Sequence, residues 1–185
     1  MTIPEALKYL ENDGIEYIRI DNRALTDLGR MLDSQYIIPF YHPTLGQFNT
    51  IEGFIQYITL DRPHELLRVL NGHECRKYLK DLKDNKKLIK KTVSNTTDQL
   101  KYVNYLKIES SPKLKALFLA NDLPYKIFYL NKDKNNKGCV VNRLLDNHGR
   151  LVSILALKAM YKNNPELQLP MPDCTEILIR HQTNS

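Results

Sequence analysis

A chain of 185 residues with 42% apolar and 26% charged side chains can bury a core of its own, which excludes a disordered polymer and a minimal disulfide-stapled module. No stretch approaches the ~18 apolar residues of a membrane span, and three cysteines (Cys75, Cys139, Cys174) without CxxC spacing argue against a zinc site or disulfide framework and for a reducing cytoplasm. The net charge of +6 is carried by one stretch, "RKYLKDLKDNKKLIKK" from Arg76 to Lys91, while the rest of the chain balances.

In chain order, the opening "MTIPEALKYLENDG" predicts a helix over 3–13, begun by a Thr2/Glu5 capping box around Pro4, rather than an export signal. "IEYIRI" (15–20) predicts a strand, residues 24–30 a short helix, and "QYIIPFY" (35–41) a second strand with Pro39 marking an edge. In "NTIEGFIQYITL" the apolar residues Ile51, Phe54, Ile55 and Ile58 recur at i, i+3, i+4, i+7, which predicts a buried helix over 50–60. A second helix opens at Asp61 and Pro63, and a third spans 73–84 before the lysines. Helices follow over 97–108 and 112–121, the latter with Ser111 as cap and Pro112 at its first position. "PYKIFYL" (124–130) and "CVV" predict strands around the loop "NKDKNNKG". "GRLVSILALKAMYK" predicts the most buried helix, and after three prolines "TEILIR" (175–180) predicts a last short strand or docked arm. The expected fold class is α+β: one helix-rich domain over 1–185 with a small β-sheet and a C-terminal arm over 163–185.

Glu52 stands out, because an acid at the head of an apolar helix has two readings. With Asn49 as N-cap it is the third-position acid of a capping box, contributing ~1 kcal/mol to the helix. Facing a cleft, it is a chemical group.

The segment Gly46, Phe48, Thr50, Glu52, Phe54, Gln56 resembles the signature of the NADAR (YbiA-like) family, in which a loop glycine and an aromatic precede a Thr/Ser-Val-Glu helix start, followed by an aromatic and a glutamine. "LKIESSPKLKALFL" (106–119) resembles the family's Lys-Phe-x-x-x-Pro-x-Leu helix pair through Lys107, Pro112 and Leu114, with Ile108 in place of the aromatic. "NHGRLVSIL" (147–155) resembles its closing segment through Asn147 and Gly149, and "GRMLDS" (29–34) answers to its Leu-Ser-Asn element. The resemblance covers about residues 15–162.

This resemblance implies a YbiA-like fold and an N-glycosidase or ADP-ribosyl-processing hydrolase acting on a phosphorylated ribosyl ligand, with no cofactor and no metal. Glu52 would stabilise positive charge on the ribose or activate water. Gln56 would orient it, Lys107 would contact phosphate or ribose, and Gly46, Phe48 and Asn147 would line the ligand. The alternative for Lys107 is a lysine facing solvent at a helix end.

Thr59 stands where the family has a lysine three residues after the glutamine, and without tryptophan the family's Asp-x-x-Trp-Gly element is absent as such. Asp133 or Asp146 would supply that second acid.

These departures, in a short Lys- and Asn-rich chain, resemble divergent phage-encoded members. They define an alternative: a catalytically inactive bacteriophage accessory protein in the host cytoplasm that keeps the fold and binds a nucleotide, nucleic acid or host protein. Its nucleic-acid version rests on Lys86, Lys87, Lys90 and Lys91. The five histidines form no i, i+4 pair, and His64 and His73 read as surface residues.

Overall fold

The computed structural model describes residues 10–85, 93–132, 139–143 and 149–183. The expected opening helix, apart from its last residues, lies outside these ranges, as do Asp133, Asp146, Asn147 and the lysines at 86, 87, 90 and 91.

The architecture is helix-rich α+β. In order run β1 (Ile18–Arg19), α1 (Asp27–Leu32), β2 (Phe40–His42), β3 (Gly46–Phe48), α2 (Ile51–Thr59), α3 (Leu66–Val69) and α4 (Gly72–Asp84). There follow α5 (Thr96–Glu109), α6 (Pro112–Ala120), β4 (Tyr125–Lys126), β5 (Phe128–Lys132), β6 (Cys139–Arg143), α7 (Arg150–Asn163) and α8 (Thr175–Thr183). Among the described residues the strands form three two-stranded ladders. β1 pairs parallel with β4 (Ile18 beside Tyr125), β2 and β3 form a hairpin (Phe40 opposite Phe48), and β5 pairs antiparallel with β6 (Phe128 opposite Arg143). No described helix is long and apolar enough to cross a membrane.

Two apolar clusters organise the helices. One surrounds α2 with Phe40, Phe48, Leu67, Cys75, Leu100, Val103 and Ile177. The other joins Ile18, Leu28, Met31, Leu32, Ile108, Leu114, Phe118, Ile154 and Tyr161. α5 feeds both, Leu100 and Val103 toward the first and Ile108 toward the second, so it is buried on more than one side. Its Asn104 amide donates to Ser153 Oγ at 3.0 Å, and that hydroxyl donates to the Arg150 carbonyl at 2.8 Å, which fixes the start of α7 against α5.

Several expectations are corrected. The most buried helix is α2, with seven of nine residues buried, whereas α7 buries four of fourteen and leaves Val152 and Leu155 exposed. "TEILIR" is not a strand; it is the docked alternative, as helix α8, held through buried Ile177, an Arg180 bond to the Ile58 carbonyl and the Tyr57–His181 ring contact. The predicted strands at 15–20 and 35–41 shrink to Ile18–Arg19 and Phe40–His42, because each finds only a short partner. His64 is buried rather than superficial, its Nδ1 lying 2.9 Å from the Tyr78 hydroxyl.

Candidate active site

The turn between α1 and β2 is the starting point. α1 stops at Asp33, whose N–H still reaches the Arg30 carbonyl and whose Oδ1 accepts from Gln35 N at 2.8 Å, an Asx turn that reverses the chain. The reversal delivers Ser34 to the head of α2. The cap of α2 is Thr50, its Oγ1 accepting from Gly53 N at 3.0 Å, so Glu52 sits at the second helical position rather than the third. From there the carboxylate does not return to its own cap, and the capping-box reading is overturned. Gly53 is required: a Cβ there would lie 2.1 Å from the Leu67 carbonyl oxygen.

Glu52 instead faces a ring of partners while only 3% exposed. Its N–H donates to the Ser34 carbonyl at 2.8 Å, and Ser34 Oγ donates to Oε2 at 3.2 Å. Gln56, one turn on, donates to Oε1 at 3.1 Å, and Arg150 from the start of α7 donates from Nη2 to Oε2 at 2.9 Å. Burial opposes the charge, but the Arg150 and Arg76 guanidinium groups together with the Gln56 and Ser34 hydrogen bonds outweigh it and hold the carboxyl below its ordinary range. The result is a buried carboxylate that is ionised at neutral pH.

Lys107 lies on the other side of the same turn. It is fully buried, not solvent-facing, and its Nζ donates to the carbonyls of Asp33 at 2.8 Å and Tyr36 at 3.3 Å. Desolvation drives its pKa down to about 7, against the weaker pull of the Asp33 carboxylate. Asp33 is shifted upward by burial, opposed by the Gln35 N–H and Lys107. Lys107 therefore clamps the backbone that presents Ser34, from beneath.

Of the sequence-derived candidates, the structure brings together Glu52 and Gln56, and joins Lys107 to them through the Asp33–Tyr36 turn. Phe48 is wholly buried against Phe40, Phe54 and Tyr57, with Arg68 over its ring, and packs in the core rather than lining the carboxylate. Gly46 takes a left-handed conformation (φ +80°) in the β2–β3 turn, beside Arg68. Arg150, Arg76, Ser34 and Asp33 were not singled out from the sequence. Ser34 closes the "GRMLDS" stretch and Arg150 lies within "NHGRLVSIL", so both stand inside segments that carry the resemblance. Among the described residues no group of three His, Cys, Asp or Glu side chains is arranged to hold a metal ion.

A cleft of ≈ 440 Å³ is lined by Asn22, Gln35, Tyr36, Ile37, Asn71 and His73; it shares the turn that carries Ser34, through Gln35 and Tyr36, while Glu52, Gln56, Lys107 and Arg150 are not among its lining residues. Compared with known proteins, the chain matches no family model, no curated protein and no solved structure.

Proposed function

We propose that the protein is an N-glycosidase-like hydrolase of the NADAR type that cleaves the bond between ribose and a base in a phosphorylated ribosyl ligand. One observation carries this reading. Three stretches far apart in sequence, each bearing part of the family resemblance (29–34, 46–56 and 147–155), meet at one carboxylate through Ser34, Gln56 and Arg150, and a fourth (106–119) supports the turn that carries Ser34 through Lys107 on the Asp33 and Tyr36 carbonyls.

In the proposed reaction the C1–N bond breaks as water adds to C1. Positive charge builds on the ribose ring, and Glu52 stabilises it while accepting a proton from the water; that proton is then returned to the departing nitrogen, which leaves Glu52 ionised again. Arg150 now sits on that carboxylate and damps its field. A ligand phosphate would draw the guanidinium off and leave Glu52 facing the sugar. The family's lysine at Thr59 has no equivalent there, since that hydroxyl turns back onto the Ile55 and Gln56 carbonyls at 2.9 and 3.2 Å. Arg150 and Arg76 are the cations near Glu52 that would take its place.

The test is to incubate the purified protein with ADP-ribosylated nucleobases and ribosylated pyrimidines and measure the freed reducing sugar. Release that disappears in Glu52→Gln is expected. No release from the folded protein, or equal release from Glu52→Gln, rejects the hydrolase and leaves the accessory binding protein.

A further inference from the structure

We infer that the cleft lined by Asn22, Gln35, Tyr36, Ile37, Asn71 and His73 is a nucleobase-binding site, accepting a planar nitrogen heterocycle whose edge offers hydrogen-bond acceptors. The inference deepens the hydrolase reading and rests on it only for which ligand the base belongs to.

The first argument is position. The turn that sends Ser34 inward to Glu52 sends the next two residues, Gln35 and Tyr36, into the cleft wall. A ligand resting in the cleft therefore lies one residue from the carboxylate's partner. Arg76, whose charge acts on Glu52, is hydrogen-bonded to the same wall: with its amide oriented to suit both groups, Gln35 Oε1 accepts from Arg76 Nη2 at 2.7 Å. A base in the cleft would thus lie against a wall that Arg76 holds from behind.

The second argument is chemistry. The cleft volume falls in the roughly 300–1,000 Å³ range of small-molecule sites. Tyr36 is 40% exposed, with its backbone held by Lys107 on the Tyr36 carbonyl, and its ring offers a face on which a base can stack. Ile37, half exposed, adds apolar surface, and the His73 imidazole a second ring.

The amides are already partly committed. Asn71 Oδ1 accepts from His73 N and Glu74 N, each at 3.0 Å, as the cap of α4, and Gln35 Oε1 is held by Arg76. Both amides can therefore offer a ligand only their NH2 groups, which are donors. Donors beside an aromatic platform suit the carbonyl oxygens and ring nitrogens of a base. Among the described residues no carboxylate lines the cleft to compete for them.

The third argument is rigidity. Gly72 brings α4 against the turn so closely that a Cβ would lie 2.2 Å from Gln35 Cβ. The two walls are thus fixed relative to each other without a ligand.

The experiment titrates the full chain with AMP, GMP, CMP and UMP, with ribose 5-phosphate as the control lacking a base, by calorimetry or NMR. At least one nucleotide is expected to bind tenfold or more tightly than ribose 5-phosphate. Tyr36→Ala should weaken that binding at least fivefold, and Tyr36→Phe should restore it. Equal affinity for nucleotide and ribose 5-phosphate, no nucleotide binding, or a Tyr36→Ala protein within twofold of the parent overturns the inference. Folding is checked by circular dichroism, and Tyr36 stands at the surface, so a folded Tyr36→Ala protein is expected. If it fails to fold, Gln35→Ala and His73→Ala carry the same fivefold criterion. The two readings fail separately. Tyr36-dependent nucleotide binding without ribose release leaves the cleft and removes the hydrolase, whereas Glu52-dependent release with nucleotide binding indifferent to Tyr36 does the reverse.

Discussion

Arg150 and Glu52, 98 residues apart in sequence, form an ion pair at 2.9 Å in which the acid is almost wholly enclosed and the arginine still reaches solvent. The asymmetry sets the energetics. Removing the arginine strands a buried anion, while removing the acid leaves a cation able to hydrate. Arg150→Ala is therefore expected to cost about 2–3 kcal/mol of stability and Glu52→Gln about 1 kcal/mol. The double variant should be more stable than Arg150→Ala alone, because the stranded charge is gone. Urea unfolding of the four proteins measures this; a double variant less stable than Arg150→Ala would contradict the asymmetry.

The same pair fixes an acid dependence. Glu52 has a folded-state pKa below its ordinary 4.5, so the folded state holds its proton less tightly than the unfolded chain. Its contribution is complete above pH 4.5 and is lost as pH falls through the lower folded value. Glu52→Gln should flatten that part of the stability profile. An unchanged slope below pH 4.5 would show that the carboxylate is not stabilised by its partners.

Lys107 acts on the alkaline side, with the same sign but from an unfavourable charge. Its pKa is about 7 in the folded protein against 10.5 as the ordinary value, so between these pH values the unfolded chain binds more protons and stability rises with pH. A neutral amine has two N–H groups, and the structure supplies two carbonyls, those of Asp33 and Tyr36. Lys107→Met should abolish the rise between pH 7 and 10.5. It should also leave both carbonyls without their donor, at a cost of about 1–3 kcal/mol. Thermal unfolding across pH 7 to 9.5 tests both.

How much of this was legible in the sequence depends on the range of the interaction. Local chemistry was readable: the apolar spacing of Ile51, Phe54, Ile55 and Ile58 located α2, and Ser111 with Pro112 located the start of α6, where Ser111 Oγ accepts from Leu114 N at 3.3 Å. Where two caps competed, sequence was insufficient. Asn49 and Thr50 are both good N-caps, and the choice of Thr50 moves Glu52 by one position and turns it from its own backbone toward Ser34. Long-range burial was not readable at all. Lys107 near the end of a helix looks solvated until α5 is seen packed into both apolar clusters, and nothing local in "HGRLV" says that Arg150 reaches α2.

Gly72 offers a test of the turn that needs no change to a charged group. A Cβ at this position would meet both Cβ and Cα of Gln35, at 2.2 and 2.4 Å, so the clash involves backbone and cannot be relieved by a rotamer change. Gly72→Ala must push the Asp33–Tyr36 turn away from α4, straining the Lys107 clamp and the Ser34–Glu52 contact together. A loss of about 1–3 kcal/mol is expected, as for overpacking elsewhere. Amide exchange at Gln35 and at Glu52, whose N–H is bonded to the Ser34 carbonyl, should accelerate more than exchange in α6. Uniform acceleration would mean that the turn and the head of α2 do not move as a unit.

His42 gives the last prediction, in the apolar cluster around α2. The ring is fully buried and stacked on Phe54, and its Nδ1 accepts from Thr44 N and Leu45 N, each at 3.2 Å. Two backbone donors on one nitrogen require that nitrogen to stay unprotonated. The remaining proton belongs on Nε2, which faces Cys174 Sγ at 3.9 Å on the segment leading into α8. Burial pushes the pKa down to about 4 from 6.5, so stability is full above pH 6.5 and falls as pH drops toward 4, a window above that of Glu52. His42→Phe should remove this slope while leaving the Thr44 and Leu45 N–H groups without an acceptor, at a cost of about 1–3 kcal/mol. The β2–β3 turn and the docking of Cys174 would loosen first, so limited proteolysis at pH 5 should cut the parent protein near residues 42–46 or 171–175 before α5. Cleavage that begins in α5, or a parent whose stability is flat from pH 6.5 to 4.5, would show that the imidazole does not hold this corner of the fold.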